Sequence, residues 1–562
     1  MHAKVCLAAI IAVAIALTGC GGGGSKSSSG AGSATGKAQA SATANDINPL
    51  PYDQVPAGGT LRWPLDSFPP NFNVLDIDGN EGGISDLMNS TLPAIWYFDA
   101  GGQPILNTDV VDKATQTSAS PQTIQYHINS KAIWSDGTPI TYKDFAGMWA
   151  ADNGTNKKFA VASTNGYENI ASVAKGATDQ DVTVVFKNPY PDWKSLFSPV
   201  LLPRTLTDTP DHFNKLWVNG PTLSGGPFKV VSIDKTAKTI TVAHNDKWWG
   251  NAPKLDKIQF IVLDQEAQAK AFQSDQVDFV PINASVATFA LVKATPGAVV
   301  RKAGGPFWRH IDLGKSGPLS DLKVRQAVML SIDRESDAKT LLGPLDWPAK
   351  VLDSHIWMNN MSQYKSTCGD FCNRDIAKAG QLLEAAGYKK GSDGFYAKDG
   401  KPINLSLVVS AGTKTQEDEA ALQQKAIQQA GIKVTIKPVP ADPYFPDYIQ
   451  VGKFDLAIFT WQDTQFPISS AKSLYTSTGS QNYSKIGTPE IDALFAKVVT
   501  ELDATKAKEL TYQIDQKIWE EGHSAAVYQR PNLVGAKSTL VNFGAFGFAS
   551  PPINYLDIGF KK

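Results

Sequence analysis

The sequence predicts a two-lobed α/β chain, with an α+β first half, an α/β second half and a cleft between them. Three observations predict it. Short alternating runs dominate up to about residue 265. Helical periodicity takes over from about residue 320. After that change, strand-like and helix-like segments follow one another in the order strand, helix, strand, the mark of a βαβ unit. Clefts between domains are where ligands sit.

In the first half, "TIQYHI" sets Ile124, Tyr126 and Ile128 against polar neighbours. "DVTVVF" (181–186), "TITVAH" (239–244) and "KIQFIVL" (257–263) have the same period of two. Trp- and Pro-rich loops separate them, and no internal repeat occurs.

In the second half, "DLKVRQAVMLSIDR" puts Val324, Ala327, Val328, Ser331 and Ile332 on one helical face. "DIAKAGQLLEAAGY" aligns Ile376, Ala379, Leu383 and Ala386, with Asp375 as N-cap and Gly387 as the residue after the helix. "INLSLVVS" is expected as a strand, "EDEAALQQKAIQQAGI" as a helix ending at Gly431, "KVTIKPV" and "DLAIFTW" as strands and "SLYTSTGS" as a loop. A late helix, "ATKAKELTYQIDQKIWEE", brings Leu510, Ile514 and Ile518 into line.

The chain has 562 residues, length for two to four domains, and 42% hydrophobic content supports large cores. Its start, "MHAKVCLAAIIAVAIALTGCGGGG", has one charged residue, Lys4, before an apolar stretch from Val5 to Leu17. That stretch is too short to span a bilayer and has the length of a signal peptide. "Leu17-Thr18-Gly19-Cys20" resembles a bacterial lipobox, which implies cleavage after residue 19 and a lipidated Cys20. The alternative is an ordinary secretory signal with a chance cysteine.

A Gly/Ser/Ala/Thr-rich linker follows, over residues 20–45. Its r.m.s. reach is roughly 25–30 Å, so the folded part would be held close to the outer face of the cytoplasmic membrane. Removal of Lys4 leaves 52 basic and 54 acidic residues. There is no basic stripe, which argues against nucleic acid.

Of four cysteines, Cys368 and Cys372 in "STCGDFCNRD" remain for structural use. A local disulfide is expected in an exported chain. Half of a zinc site is the alternative, with His355 as the sole further ligand in the vicinity. No P-loop, G-x-S-x-G or H-E-x-x-H motif occurs, and the seven histidines are scattered. An enzyme is disfavoured and no cofactor is expected.

Six segments in register from about residue 58 to 560 resemble one family. "AIWSDGTPITYKDFAGMW" is similar to its W-x-D-G-x-P-x-T-x-x-D-F segment and "SGGPFKV" to its G-T-G-P-Y/F-x-V turn. "HNDKWWGNAPKLDKIQF", "LKVRQAVMLSIDRE", "DIAKAGQLLEAAGY" and "KFDLAIFTWQD" match its further motifs in order. The family is the extracellular solute-binding proteins, family 5, the dipeptide- and oligopeptide-binding subunits of ABC importers. The physical reading of the same residues is structural: Asp136-Gly137 as a turn tip, Arg325 and Asp333 as ion-pair or capping residues, and Trp248 and Trp249 packed under a loop.

The resemblance implies a two-lobed periplasmic-binding-protein-like fold with an extra subdomain and a hinge. By analogy the signal spans 1–19, the first lobe 46–308 with the extra subdomain at about 97–222, and the second lobe 309–524. Residues 525–562 would return to the first lobe. The ligand would lie in the cleft with its main chain paired to protein backbone. Asp463, in "FTWQDTQFP", falls near the family's amine-binding aspartate, beside Trp461 and Gln462. One residue separates Trp461 from Asp463 where the family commonly has two, which leaves the substrate class open. A turn or helix cap is the other reading of Asp463. "PLDSFPPNFN" (64–73) takes the place of the family's first cleft loop, so Asp66, Phe68 and Asn71 are expected on the opposite wall.

The function so implied is capture of peptides or peptide-like solutes for an ABC permease by a lipid-anchored monomer. The alternative is an offshoot that binds a cell-wall glycolipid, a mannoside or another non-peptide solute, with a regulatory role. A secreted hydrolase has only the export signal in its favour.

Overall fold

The computed structural model describes residues 45–80, 82–198, 200–440, 443–549 and 554–562. The signal, Cys20 and nearly all of the linker lie outside the described residues.

The major elements of the first half are β1 (Thr60–Leu65), α1 (Gly82–Thr91), β2 (Val111–Ala119), β3 (Gln122–Ile128), α2 (Tyr142–Asp152), β4 (Ile170–Lys175) and β5 (Asp181–Phe186). They continue with β6 (Phe228–Asp234), β7 (Thr239–His244), β8 (Lys257–Val262), α3 (Gln265–Gln273), β9 (Phe279–Pro281) and α4 (Val286–Ala294). Two four-stranded sheets result, in the orders β1-β8-β7-β6 and β2-β3-β5-β4. The period of two works as expected, since Ile124, Tyr126 and Ile128 are buried. Asp136 accepts from the Thr138 amide at 2.8 Å and Gly137 takes φ +88°, so "SDGTP" is a turn. Trp248 and Trp249 pack on each other at 4.6 Å, and the Trp249 indole N–H bonds the Asp109 carbonyl.

The second half opens with β10 (Ala298–Leu313), α5 (Leu322–Ser331), α6 (Arg334–Leu342), α7 (Ile376–Ala385), β11 (Asn404–Ser410) and α8 (Lys414–Gln429). It closes with β12 (Lys433–Val439), β13 (Leu456–Gln462), α9 (Pro467–Tyr475), α10 (Pro489–Val498), α11 (Ala504–Glu520) and β14 (Ser524–Lys537). The central sheet has the order β9-β14-β10-β13-β11-β12. β11 and β12 pair in parallel, joined through α8, as the βαβ pattern requires. Pro438 is tolerated because β12 is the edge strand.

Two expectations need correction. The helix from Leu322 ends at Ser331, because Ile332 is extended (ψ 131°) and the Asp333 side chain caps α6 through the Ser336 amide. Residues Ser473–Tyr475, expected in a loop, form the last turn of α9, and only "TSTGS" is irregular. Asp375 caps α7 through the Lys378 amide, and Gly387 (φ +87°) follows it. Arg325 donates to the Glu521 and Leu319 carbonyls, a structural role.

Two large cores form. One is built from the first-half sheets with Phe543, Tyr555 and Ile558 of the C-terminal segment. The other surrounds the central sheet and α5 to α11. β10 and β14 pair from Ala298–Lys537 to Asp312–Ser524, the longest ladder of the central sheet. Their ladder is broken between Gly304 and Phe307, at the Gly-Gly-Pro of 304–306. Proline cannot donate to a ladder and glycine weakens a strand interior, which accounts for the interruption here.

Candidate functional site

The site is built at the end of β13. β11 pairs with β13 only at Leu407–Leu456 and Val408–Ala457, then turns through Gly412 (φ +79°) into α8. Phe459–Gln462 therefore has β10 on one side and no strand on the other among the described residues. The Tyr444 hydroxyl, donating to the Ile458 carbonyl at 2.8 Å, marks where that open edge begins. An unpaired edge is a template for an added extended chain.

Asp463 is the next residue after the strand. Its amide donates to the Pro306 carbonyl at 2.6 Å, tying the strand end to the Gly-Gly-Pro break. Its carboxylate accepts from the Thr464 amide at 2.8 Å and is 8% exposed. No Lys, Arg or His lies within ion-pair distance of it among the described residues. Burial pushes its pKa up to about 7, against the pull of the Thr464 amide and the Ser470 hydroxyl. The N-cap of α9 is Phe466, and no side chain caps it from that position, so Asp463 is not the helix cap. A buried anion without a cation is costly unless something supplies the charge.

Trp461 is half-buried. It has two near-parallel ring neighbours, His310 at 5.8 Å and 10° and Tyr483 at 5.7 Å and 25°. Gln462 is exposed at the sheet end. Trp461, Gln462 and Asp463 thus come together at one strand terminus. The three residues of the 64–73 loop separate. Asp66 is exposed just beyond β1 and accepts from the Gln268 amide of α3 at 2.5 Å. Phe68 packs on the first core. Asn71 is 2% exposed, its amide donating to the Asn214 carbonyl at 3.0 Å and accepting from the Asn73 amide at 3.1 Å, so it is spent inside the loop.

Sequence reasoning missed Arg530. The registers place Gln462, Phe307 and Arg530 side by side on β13, β10 and β14. Strand spacing makes Arg530 and Gln462 about 10 Å apart at the backbone. The guanidinium bonds Asn283 Oδ1 at 3.1 Å, lies over the Phe307 ring, and has no carboxylate partner among the described residues. Nothing in "YQRPNL" marks it, because its place depends on strand pairing across more than 200 residues. Arg309, by contrast, is fully used: Glu419 of α8 takes its guanidinium, Thr460 Oγ1 accepts at 3.2 Å, and the Tyr528 hydroxyl completes the carboxylate at 2.9 Å. That buried strut fixes α8 to the sheet under the site.

The sulfurs of Cys368 and Cys372 are bonded, 1.99 Å apart, which removes both as thiolate ligands. His355 is occupied by Asp515 at 2.8 Å and the Ser524 carbonyl at 2.9 Å. Neither half of the zinc alternative is available.

An open strand edge that ends in a buried carboxyl group without an ion-pair partner among the described residues has the chemistry of a ligand-binding site rather than of a catalytic centre. Comparison with known proteins agrees. The model of bacterial extracellular solute-binding proteins, family 5, matches residues 106–485. The oligopeptide-binding protein OppA of Mycobacterium tuberculosis (strain ATCC 25618 / H37Rv) is 37% identical over 525 residues, covering 92% of this chain and 88% of OppA. The solved structure of the periplasmic EDTA-binding protein EppA aligns with TM-score 0.85 and 26% identity, covering 93% of this chain and 99% of EppA. The "Probable monoacyl phosphatidylinositol tetramannoside-binding protein LpqW" of Mycobacterium tuberculosis (strain ATCC 25618 / H37Rv) is 25% identical over 381 residues, 62% of this chain and 58% of LpqW. The chain belongs to family 5 of the bacterial extracellular solute-binding proteins. Its relatives and fold neighbours are binding proteins, not enzymes.

Proposed function

We propose that the protein is the lipid-anchored solute-binding subunit of an ABC importer and captures peptides or peptide-like solutes between its lobes. One observation carries the reading: the buried Asp463 carboxylate has no cation of its own and ends an open strand edge. The ligand's α-ammonium neutralises Asp463, and its main chain extends β13 at Thr460–Gln462. Gln462 and Asp66 flank the ligand, and Trp461 holds the strand end rigid. Arg530 offers a second pole for a ligand carboxylate. Phe68 and Asn71 shape the 64–73 loop from within.

The lobes are taken as 46–308 with the 525–562 return, and 309–524, with Gly304–Pro306 as a flexing point. The protein acts as a monomer and docks on permease subunits when closed. Cleavage after residue 19 leaves Cys20 lipidated, and residues 20–45 are the tether. Among the described residues no helix is long and apolar enough to cross a membrane.

A second reading, a non-peptide solute, draws on the EDTA-binding and tetramannoside-binding relatives. An anionic chelate fits Arg530, which has no carboxylate partner among the described residues, better than a mannoside fits Trp461, which already has His310 and Tyr483 as ring neighbours. Native mass spectrometry of the purified protein tests both. A carried peptide, displaced by peptides with a free amine and not by N-acetylated ones, is the expected result. A carried glycolipid or chelate, with no peptide bound, overturns the peptide reading.

A further inference from the structure

The first turn of α9 joins the two lobes. Phe466 enters the aromatic packing of the first core, edge-on to Phe98 at 5.8 Å, while Ile468, Ala471 and Leu474 of the same helix belong to the second core. The helix begins with Pro467 and has no capping side chain of its own, so its next amides need an acceptor from elsewhere. Asp192, beside Trp193 of the first core, supplies it. Its carboxylate takes the Ser469 hydroxyl and the Ser469 amide. The neighbouring Ser470 hydroxyl serves Asp463. Adjacent serines therefore hold one carboxylate from across the cleft and one at the ligand-anchoring position. No Lys or Arg pairs with Asp192 among the described residues.

We propose that Asp192 is an interlobe latch that caps α9 only in the closed form, and that Ser469 and Ser470 couple closure to the position of Asp463. The second clause rests on the reading of Asp463 as the ligand anchor, and the latch itself does not. Opening the lobes strips α9 of its foreign cap and leaves its amides to water. Closure also returns the acidic group to the positive end of a helix, where it is favoured. Asp192 is thus a positioning residue: it sets how long the lobes stay shut, not which solute is recognised. Residence changes of this kind appear in dissociation, with association little altered.

The test needs no ligand. Phe98→Cys with Phe466→Cys, made in the full chain, reports closure by its rate of disulfide trapping under mild oxidation. A carboxylate hydrogen bond is worth about 1.5–3 kcal/mol, so Asp192→Ala should slow trapping about 10- to 100-fold. Asp192→Asn keeps one acceptor oxygen for Ser469 but loses the charge, so it should trap faster than Asp192→Ala while remaining slower than the parent. That rescue separates a latch from a general loss of structure, which circular dichroism of each variant also monitors. Trapping of Asp192→Ala at the parent rate overturns the latch, and so does an Asn variant as slow as Ala. Failure of the peptide reading would appear instead as peptides not binding while the trapping pattern holds.

Discussion

Replacing Asp463 with Asn separates ligand anchoring from structural support. In the parent, burial raises this carboxyl from 3.8 to about 7. The folded protein therefore holds its proton through a range where the unfolded chain has lost it. For a raised acid, stability is unaffected below the unfolded value, falls as pH rises through the window from about 4 to 7, and is lowest above it. The full displacement is worth about 4 kcal/mol. Asn cannot ionise, and its side-chain oxygen still accepts from Thr464. The variant should match the parent near pH 4 and melt higher at pH 8. Peptide binding should move the other way. A desolvated charge pair that loses one partner costs about 3–5 kcal/mol, or about two to four decades in Kd. N-acetylation of the peptide should weaken binding to the parent as much, and the two losses should not add. Binding should also exchange a proton: about 0.9 released per peptide at pH 6, as the ammonium forces Asp463 to ionise, turning to net uptake above about pH 8, where the free peptide amine is itself largely deprotonated. Calorimetry in buffers of different ionisation enthalpy measures this. Equal affinity for free and acetylated peptides, or a variant less stable than the parent at pH 8, would refute the reasoning.

Arg530→Gln should erase about tenfold or more of the preference for a free carboxylate over its amide, measured by competition with paired ligands. Glu419→Ala leaves Arg309 buried without its counter-charge and should cost about 3–5 kcal/mol, visible as a large drop in melting temperature. Cys20→Ala should move the protein from the membrane to the soluble fraction without changing its melting temperature, because the tether adds no core. Retention of that variant in carbonate-washed membranes would sink the lipobox reading.

Periodicity and caps are local, and these the sequence determined by itself. "DVTVVF" and "KVTIKPV" became strands at the expected residues because alternation and β-branched composition act within a few positions. Asp375 and Gly387 bounded α7 because a cap needs only its neighbouring amides and one left-handed residue. The family motifs, held in order along the chain, carried the fold class and pointed to Asp463. The helical pattern of 322–334 concealed a break at Ile332, since buried residues continue through it while the backbone does not.

Only tertiary structure decided the rest. Whether Asp66, Phe68 and Asn71 faced a ligand or the interior depended on what packed against their loop, and Asn71 met the Asn214 carbonyl. Trp461 has its ring neighbours because His310 and Tyr483 arrive from other segments. The alignment of Arg530 with Gln462 and the meeting of Asp192 with Ser469 join groups far apart in the chain, and the charge state of Asp463 follows from its burial. A carboxylate's pKa and a helix's cap respond to burial and to neighbours a few ångströms away. Sequence order does not encode those neighbours until the strands pair across the central sheet.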